Sequence, residues 1–288
     1  MTGTAALATE WADLLERRPA FREPLAPYSR ILAAWARWPG DRIAPLEWGA
    51  EACRTRWQRG APLLADTTPS IPVEAMEDLL GVALESLATL GEDPAALRRF
   101  AEAWDRGDIG PPDLVPGPGR VGSVAAQAQS GLDQEGLAFL AYGSLRPVLG
   151  DFFVRCAQFV ADAPWDLGIC PCCGGPPGFA DLLDDGRRRL ACHLCAATWV
   201  FSRLRCPYCG SRNAADLVRL QAEDKEEGYL ISACRSCQGY LKELDRRVRW
   251  NAGSALVEDW GSPHLDLVAQ RAGYWRPVPT LIRIGGTA

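Results

Sequence analysis

Hydrophobic positions recur at helical spacing through the first 165 residues and then give way to short runs punctuated by glycine and cysteine. Trp11, Leu14 and Leu15 share one side of a helix over 10–17, and Ile31, Leu32, Trp35 and Trp38 do the same over 27–38. Val73, Met76, Leu80, Leu84 and Leu87 line one face across 72–90. Asp93-Pro94 predicts an N-cap followed by proline at the first helical position, opening a helix through Leu97, Phe100 and Trp104. The proline- and glycine-rich run 110–119 cannot continue that helix and predicts a loop. Further helices are expected over 122–130, 133–144 and 147–162. The last carries Val148, Phe152, Phe153, Cys156, Phe159 and Val160, a pattern that reads as core.

From Pro164 onward the period changes. Residues 179–183, 189–191, 198–202, 217–221 and 229–233 can each supply a short strand, with a polar turn over 222–228. Ser262-Pro263 is expected to cap a terminal helix through Leu265, Leu267 and Val268 that ends near Gly273. The predicted class is α+β. A helical domain spans 1–164, two small ribbons span 165–204 and 205–250, and a C-terminal helix and tail span 251–288. Ribbons of that size bury little apolar surface, so a bound ion is expected to replace the missing core.

Four Cys-x-x-Cys pairs lie within 170–237: Cys170/Cys173, Cys192/Cys195, Cys206/Cys209 and Cys234/Cys237. Two cysteines separated by two residues in a tight turn aim both sulfurs at one tetrahedral ion, and a second pair completes the coordination. The first and third pairs read Cys-Pro-x-Cys-Gly, with Gly174 and Gly210 after the second cysteine; the other two lack both proline and glycine. Each ribbon is therefore expected to open on the glycine-bearing knuckle and close on the plainer one. That pairs Cys170/Cys173 with Cys192/Cys195, and Cys206/Cys209 with Cys234/Cys237. Four disulfides or iron–sulfur clusters are the competing uses of eight cysteines. Disulfides are disfavoured because no basic start followed by an apolar run, as in a secretory signal, opens the sequence.

The other three cysteines are read differently. Cys53 and Cys156 sit in helical surroundings as small buried hydrophobes. Cys172, inside the first knuckle, is read as a non-ligating turn residue, with exchange with Cys173 as a ligand or a free redox-active thiol as the alternatives. His193 is left out because four thiolates already satisfy the ion, and His264 is expected at the surface or in a cap.

Composition narrows the function classes. The chain has 288 residues, 48% of them apolar, with 31 basic and 36 acidic residues and a formal charge of −5. Between 166 and 250 there are 13 basic and 11 acidic residues, a net of +2. That field is weak for a nucleic-acid binder, although Arg187–Arg189 and Arg246, Arg247 and Arg249 interleave with Trp199, Tyr208 and Tyr240. Two histidines leave little for His-based catalysis, and there is no Walker loop, dinucleotide fingerprint or Ser/His/Asp set. Gly-Pro-Gly-Arg at 117–120 is too short for a phosphate loop. No stretch approaches the ~20 apolar residues that cross a bilayer. A cytoplasmic, non-enzymatic protein without a small-molecule substrate is expected.

The block Arg189-Leu-Ala-Cys192-His-Leu-Cys195-Ala-Ala-Thr198-Trp199-Val-Phe-Ser-Arg203-Leu-Arg-Cys206-Pro-Tyr-Cys209-Gly resembles the FdhE family, accessory proteins of formate dehydrogenase maturation. Ala233-Cys234-Arg-Ser-Cys237-Gln-Gly-Tyr240-Leu-Lys242 is similar to that family's closing knuckle. The resemblance covers roughly 165–275. It departs at Thr198, where relatives often carry an acid, and at the extra Cys172. It implies two rubredoxin-like or zinc-ribbon-like units with iron bound in them, although the residue chemistry alone permits zinc equally. It further implies a partner, the catalytic subunit of a molybdenum- or tungsten-dependent formate dehydrogenase. Trp199 and Arg203 on the connector are the candidate partner contacts, with packing between the metal units as the structural reading of Trp199. A thiol- or iron-dependent redox protein and a zinc-ribbon nucleic-acid binder remain the alternatives.

Overall fold

The computed structural model describes residues 3–40, 42–67, 69–116, 123–220 and 226–280. Gln221, most of the expected polar turn, residues 117–122 and the tail beyond Thr280 lie outside the described residues. The helices α1 (Thr4–Arg17), α2 (Ala26–Ala36), α3 (Ala50–Gln58), α4 (Val73–Thr89) and α5 (Pro94–Asp105) come first. They are followed by α6 (Pro111–Leu114), α7 (Val124–Ser130) and α8 (Gln134–Phe152). Helix α4 packs on α2 and α8, and α1 packs on α2, burying Leu14, Ile31, Trp35, Met76, Leu80 and Leu87 of the predicted stripes, while Leu15, Trp38 and Leu84 are partly buried and Val73 is exposed. Asp93 caps α5 as expected, its carboxylate accepting from the Ala95 and Ala96 N–H groups at 2.9 and 3.3 Å. Helix α3 holds the Cys53 expected in helical surroundings, but its bounds were not read from the sequence because its segment Ala-Glu-Ala-Cys-Arg-Thr-Arg-Trp-Gln buries only Cys53 and Trp57.

Two local expectations are corrected. Within the expected loop over 110–119, Pro111–Leu114 forms one helical turn. Proline suits the first helical positions, and the Gly110 N–H donates to Asp113 Oδ2 at 3.0 Å. The helices expected over 133–144 and 147–162 are instead one continuous α8 with Pro147 inside it, then a 3₁₀ turn over Ala157–Asp162. A proline in a helix leaves the carbonyl four residues earlier without its N–H. That carbonyl belongs to Gly143, and the buried Trp35 indole N–H donates to it at 2.7 Å. A side chain from α2 thus supplies the bond that the helix cannot.

The second half forms strands β1 (Phe179–Leu182), β2 (Arg188–Ala191), β3 (Thr198–Phe201), β4 (Leu217–Leu220), β5 (Tyr229–Cys234) and β6 (Tyr240–Asp245). They join in one six-stranded sheet in the order β3-β2-β1-β6-β5-β4. All neighbours are antiparallel except β1 and β6, which run parallel with Ala180 opposite Glu243. Strand β6 was not anticipated, since Tyr-Leu-Lys-Glu-Leu-Asp shows no alternation. It is central, and Lys242 and Glu243 are both buried on it. A central strand covered on both faces loses the period-2 signal.

The helix α10 (Pro263–Arg271) fills the place of the expected terminal helix, preceded by α9 (Ala255–Trp260). Ser262 does not cap α10 through its side chain; its hydroxyl donates back to the carbonyls of Glu258 and Asp259 at 2.7 and 3.1 Å. Trp260 stacks on Tyr28 at 3.9 Å and packs against Trp35 and Trp11, which fastens α9 to the first helices. No helix among the described residues is long and apolar enough to cross a membrane.

Trp35→Phe removes the donor to Gly143 and is expected to cost about 1–3 kcal/mol, read by denaturant unfolding. Adding Pro147→Ala restores a backbone N–H for that carbonyl, so the double variant should recover part of the loss.

Candidate metal centres

The four knuckles share one backbone geometry. The first cysteine of each donates its N–H to the carbonyl five residues on: Cys170 to Gly175, Cys192 to Ala197, Cys206 to Ser211 and Cys234 to Gly239, at 2.8–2.9 Å. In each, the residue after the second cysteine turns left-handed: Gly174 (φ 76°), Ala196 (φ 65°), Gly210 (φ 75°) and Gln238 (φ 58°). The plainer knuckles therefore make the same turn as the glycine-bearing ones, with a side chain where the left-handed region costs ~1–2 kcal/mol.

These turns gather the eight sulfurs into two sets, Cys170/Cys173/Cys192/Cys195 and Cys206/Cys209/Cys234/Cys237. Within each set all ligand atoms lie within 4.8 Å of one another. Cys170–Cys195 and Cys173–Cys192 are 3.5 Å apart, and Cys206–Cys237 and Cys209–Cys234 are 3.7 Å apart. A disulfide requires about 2.05 Å, whereas a tetrahedral ion with metal–sulfur bonds of about 2.3 Å separates its sulfurs by about 3.8 Å. Each set could hold one metal ion. Burial, joined by hydrogen bonds with neighbouring thiols, pushes the Cys170 and Cys173 thiols well up, whereas for Cys195 the hydrogen bonds from the surrounding thiols outweigh its own burial and hold it low. Four crowded sulfurs share protons rather than ionise together, and a divalent cation removes that conflict.

The sets differ in surroundings. The first is continuous with the helical core, among Leu194, Ala197, Trp199 and Phe201. The Leu63 and Leu64 N–H groups and the Trp57 indole donate to the carbonyls of Pro171 and Cys172 at 2.9–3.0 Å. Arg146 of α8 donates to the His193 carbonyl at 2.6 Å and lies over the Trp35 ring. Burial pushes the Arg146 guanidinium down to about 10, opposed by Cys192 and Cys195. In the second set Cys209 is exposed and Cys237 half-buried.

A buried ionic cluster that the sequence did not reveal ties these parts together. Lys242 of β6 sits 3.0 Å from Asp259 and 2.7 Å from Asp266. Arg276 pairs with the same two carboxylates at 2.9 and 3.0 Å, and also donates to the Gly178 carbonyl at 2.5 Å. His193 Nε2 lies 3.0 Å from Asp259 Oδ2, and the Tyr240 hydroxyl donates to Asp266 at 2.8 Å. Burial would raise the Asp259 carboxyl, but Arg276 and Lys242, then His193, hold it well below the usual range.

The remaining candidates fall as follows. Cys172 is buried and lies outside the four-sulfur set. Cys53 and Cys156 are buried near each other, and burial followed by Cys156 pushes the Cys53 thiol up to about 12. His193 is a member of the ionic cluster. His264 is partly exposed, with Nε2 3.2 Å from Glu226, and stacks on Phe21. Trp199 is buried and its indole donates to the Leu167 carbonyl at 3.1 Å, so its side chain faces the core. Arg203 is exposed on the connector, donating to the Gly186 carbonyl at 3.2 Å.

Ala196→Gly and Gln238→Gly relieve the left-handed side chains and are each expected to stabilise the fold by about 0.5–1 kcal/mol in chemical denaturation. Asp259→Asn leaves Lys242 and Arg276 short of an anion and should cost about 3 kcal/mol at neutral pH. The ionised carboxylate contributes above its unfolded pKa of ~3.9 and loses that contribution as pH falls through its lower folded pKa. The stability gap between wild type and Asp259→Asn should therefore narrow below about pH 4.

No protein-family model matches the chain. Among curated proteins, an FdhE homolog of Stutzerimonas stutzeri is 36% identical over 125 residues, 42% of this chain and 40% of that protein. Homologs from Pseudomonas aeruginosa and Aquifex aeolicus are 32% and 30% identical over 158 residues each, covering 50% and 53% of their length. The chain thus spans about half the length of the curated relatives it matches. The crystal structure of the FdhE protein from Pseudomonas aeruginosa superposes with a TM-score of 0.58 at 24% identity, over 99% of this chain and 97% of that one, and shows the shared fold. Along these segments the chain is similar to FdhE homologs, and over nearly its whole length it shares the fold of the Pseudomonas aeruginosa protein.

Proposed function

We propose that this protein is a metal-organised accessory factor that binds the catalytic subunit of a molybdenum- or tungsten-dependent formate dehydrogenase in the cytoplasm and promotes its maturation. The observation that carries the reading is the pair of four-sulfur sets in a chain similar to FdhE homologs. Cys170, Cys173, Cys192 and Cys195 would hold one ion, and Cys206, Cys209, Cys234 and Cys237 the other. Four protein ligands leave a tetrahedral ion no open position for substrate, so these sites suit organising a surface better than catalysing a reaction. The family resemblance implies iron, and the thiolate donors accept zinc as well. The redox alternative assigned to Cys172 is weakened by its burial, since thiol exchange needs an accessible thiolate.

The test is anaerobic affinity purification of the tagged chain from its host, with mass spectrometry of the co-purifying proteins. The catalytic subunit should be enriched with the wild type and depleted when Cys206 and Cys209 are both replaced by serine. Absence of that subunit from the wild-type preparation, in cells that express it, would contradict the proposal.

A further inference from the structure

A cleft of about 260 Å³ runs beside the second four-sulfur set. Its lining includes Cys206 and Cys234 and four guanidinium groups, those of Arg188, Arg203, Arg205 and Arg219. Glu243 is the carboxylate in the lining, and it is already paired with Arg188 at 3.2 Å. Arg205 is drawn to Asp166 at 2.8 Å, outside the lining. Arg203 and Arg219 form no ion pair among the described residues, and both are exposed. The lining therefore carries four cations against one anion.

Buried polar atoms mark the same place. Arg188 is only 4% exposed, and it is held by Glu243 and by the Ser202 and Arg205 carbonyls, yet its Nε has no hydrogen-bond partner. The Nε of Arg205 is also buried and unpartnered. A buried guanidinium with an unused donor is costly unless something accepts from it. Leu204 stands at the rim with 76% of its surface exposed, between Arg203 and Arg205. The lining also offers Leu217, Val218 and Leu241.

We infer that this cleft is a docking site for an acidic, leucine-bearing peptide segment of a protein partner, with a carboxylate seated among the four arginines beside the second metal centre. Guanidinium groups bind carboxylates in a fixed fork, and the exposed apolar rim suits a neighbouring aliphatic side chain. The cleft has room for one or two side chains. The overall charge of −5 argues against a phosphate-backbone ligand. The inference rests on the client-binding reading above and names the surface that would carry it.

Fluorescence anisotropy on the metal-loaded full chain tests the assignment, using a labelled Glu-Glu-Leu-Glu-Glu-Leu peptide, its Gln-Gln-Leu-Gln-Gln-Leu counterpart and a labelled hexathymidylate. The acidic peptide is expected to bind about tenfold or more tighter than the glutamine peptide, and more tightly at low salt. The double variant Arg203→Gln/Arg219→Gln should lose that tenfold advantage, while Arg212→Gln, outside the cleft, keeps it; metal content and circular dichroism check that each variant is folded. No binding of the acidic peptide, equal binding of the glutamine peptide, tighter binding of hexathymidylate, or an unaffected double variant would overturn the inference. Co-purification of the dehydrogenase subunit without peptide binding defeats this inference alone. Peptide binding without that subunit defeats the functional reading alone.

Discussion

The spacing of sulfur atoms is the constraint on which the second half of the chain depends. At 3.5–3.7 Å the thiols are too far apart to be bonded and too close to ionise together without a cation among them. The backbone accepts left-handed Ala196 and Gln238 to hold that spacing, so geometry at the sulfurs overrides local preference. Strain of this kind is sustained where surrounding interactions over-determine the conformation. Here those interactions are the N–H bonds that close each knuckle and, by the account given above, the ion that each sulfur set would bind.

The two centres have unequal support. The first sits within the main core, with the backbone of its opening knuckle bonded to Leu63, Leu64 and Trp57, so the helices supply the apolar contacts that a free ribbon lacks. The second lies toward solvent, with Cys209 exposed, and leans on a smaller cluster of Tyr229, Ile231, Tyr240 and Leu244. Between them, the parallel pairing of β1 with β6 and the cluster of Lys242, Asp259, Asp266 and Arg276 join both ribbons to α9 and α10. Buried charges of this kind cost desolvation and fix geometry when every partner is in place. The arrangement leaves the second centre, rather than the first, open to solvent.

The sequence made the α+β class readable because two strong signals do not depend on context: helical periodicity before Pro164 and Cys-x-x-Cys spacing after it. The Asp93 cap was legible for the same reason, being chemistry confined to four residues. What stayed hidden depended on distant residues. Pro147 read as a break because Trp35, over a hundred positions away, is what makes it tolerable. Strand β6 was not anticipated because the acids that let Lys242 be buried lie on helices that follow it. Trp199 gave no local sign of whether it faces solvent; it is buried, with its indole bonded to the carbonyl of the distant Leu167. The ribbons looked like separate units because the strand that fuses them had no pattern of its own.

The most direct test of this account is the metal-to-protein ratio of the full chain prepared anaerobically, measured by elemental analysis together with the intact mass. The account predicts two ions per chain, falling to one in Cys170→Ser/Cys173→Ser and in Cys206→Ser/Cys209→Ser, and unchanged in Cys172→Ser. A metal-free chain whose mass shows the eight cysteines joined as four disulfides would contradict it.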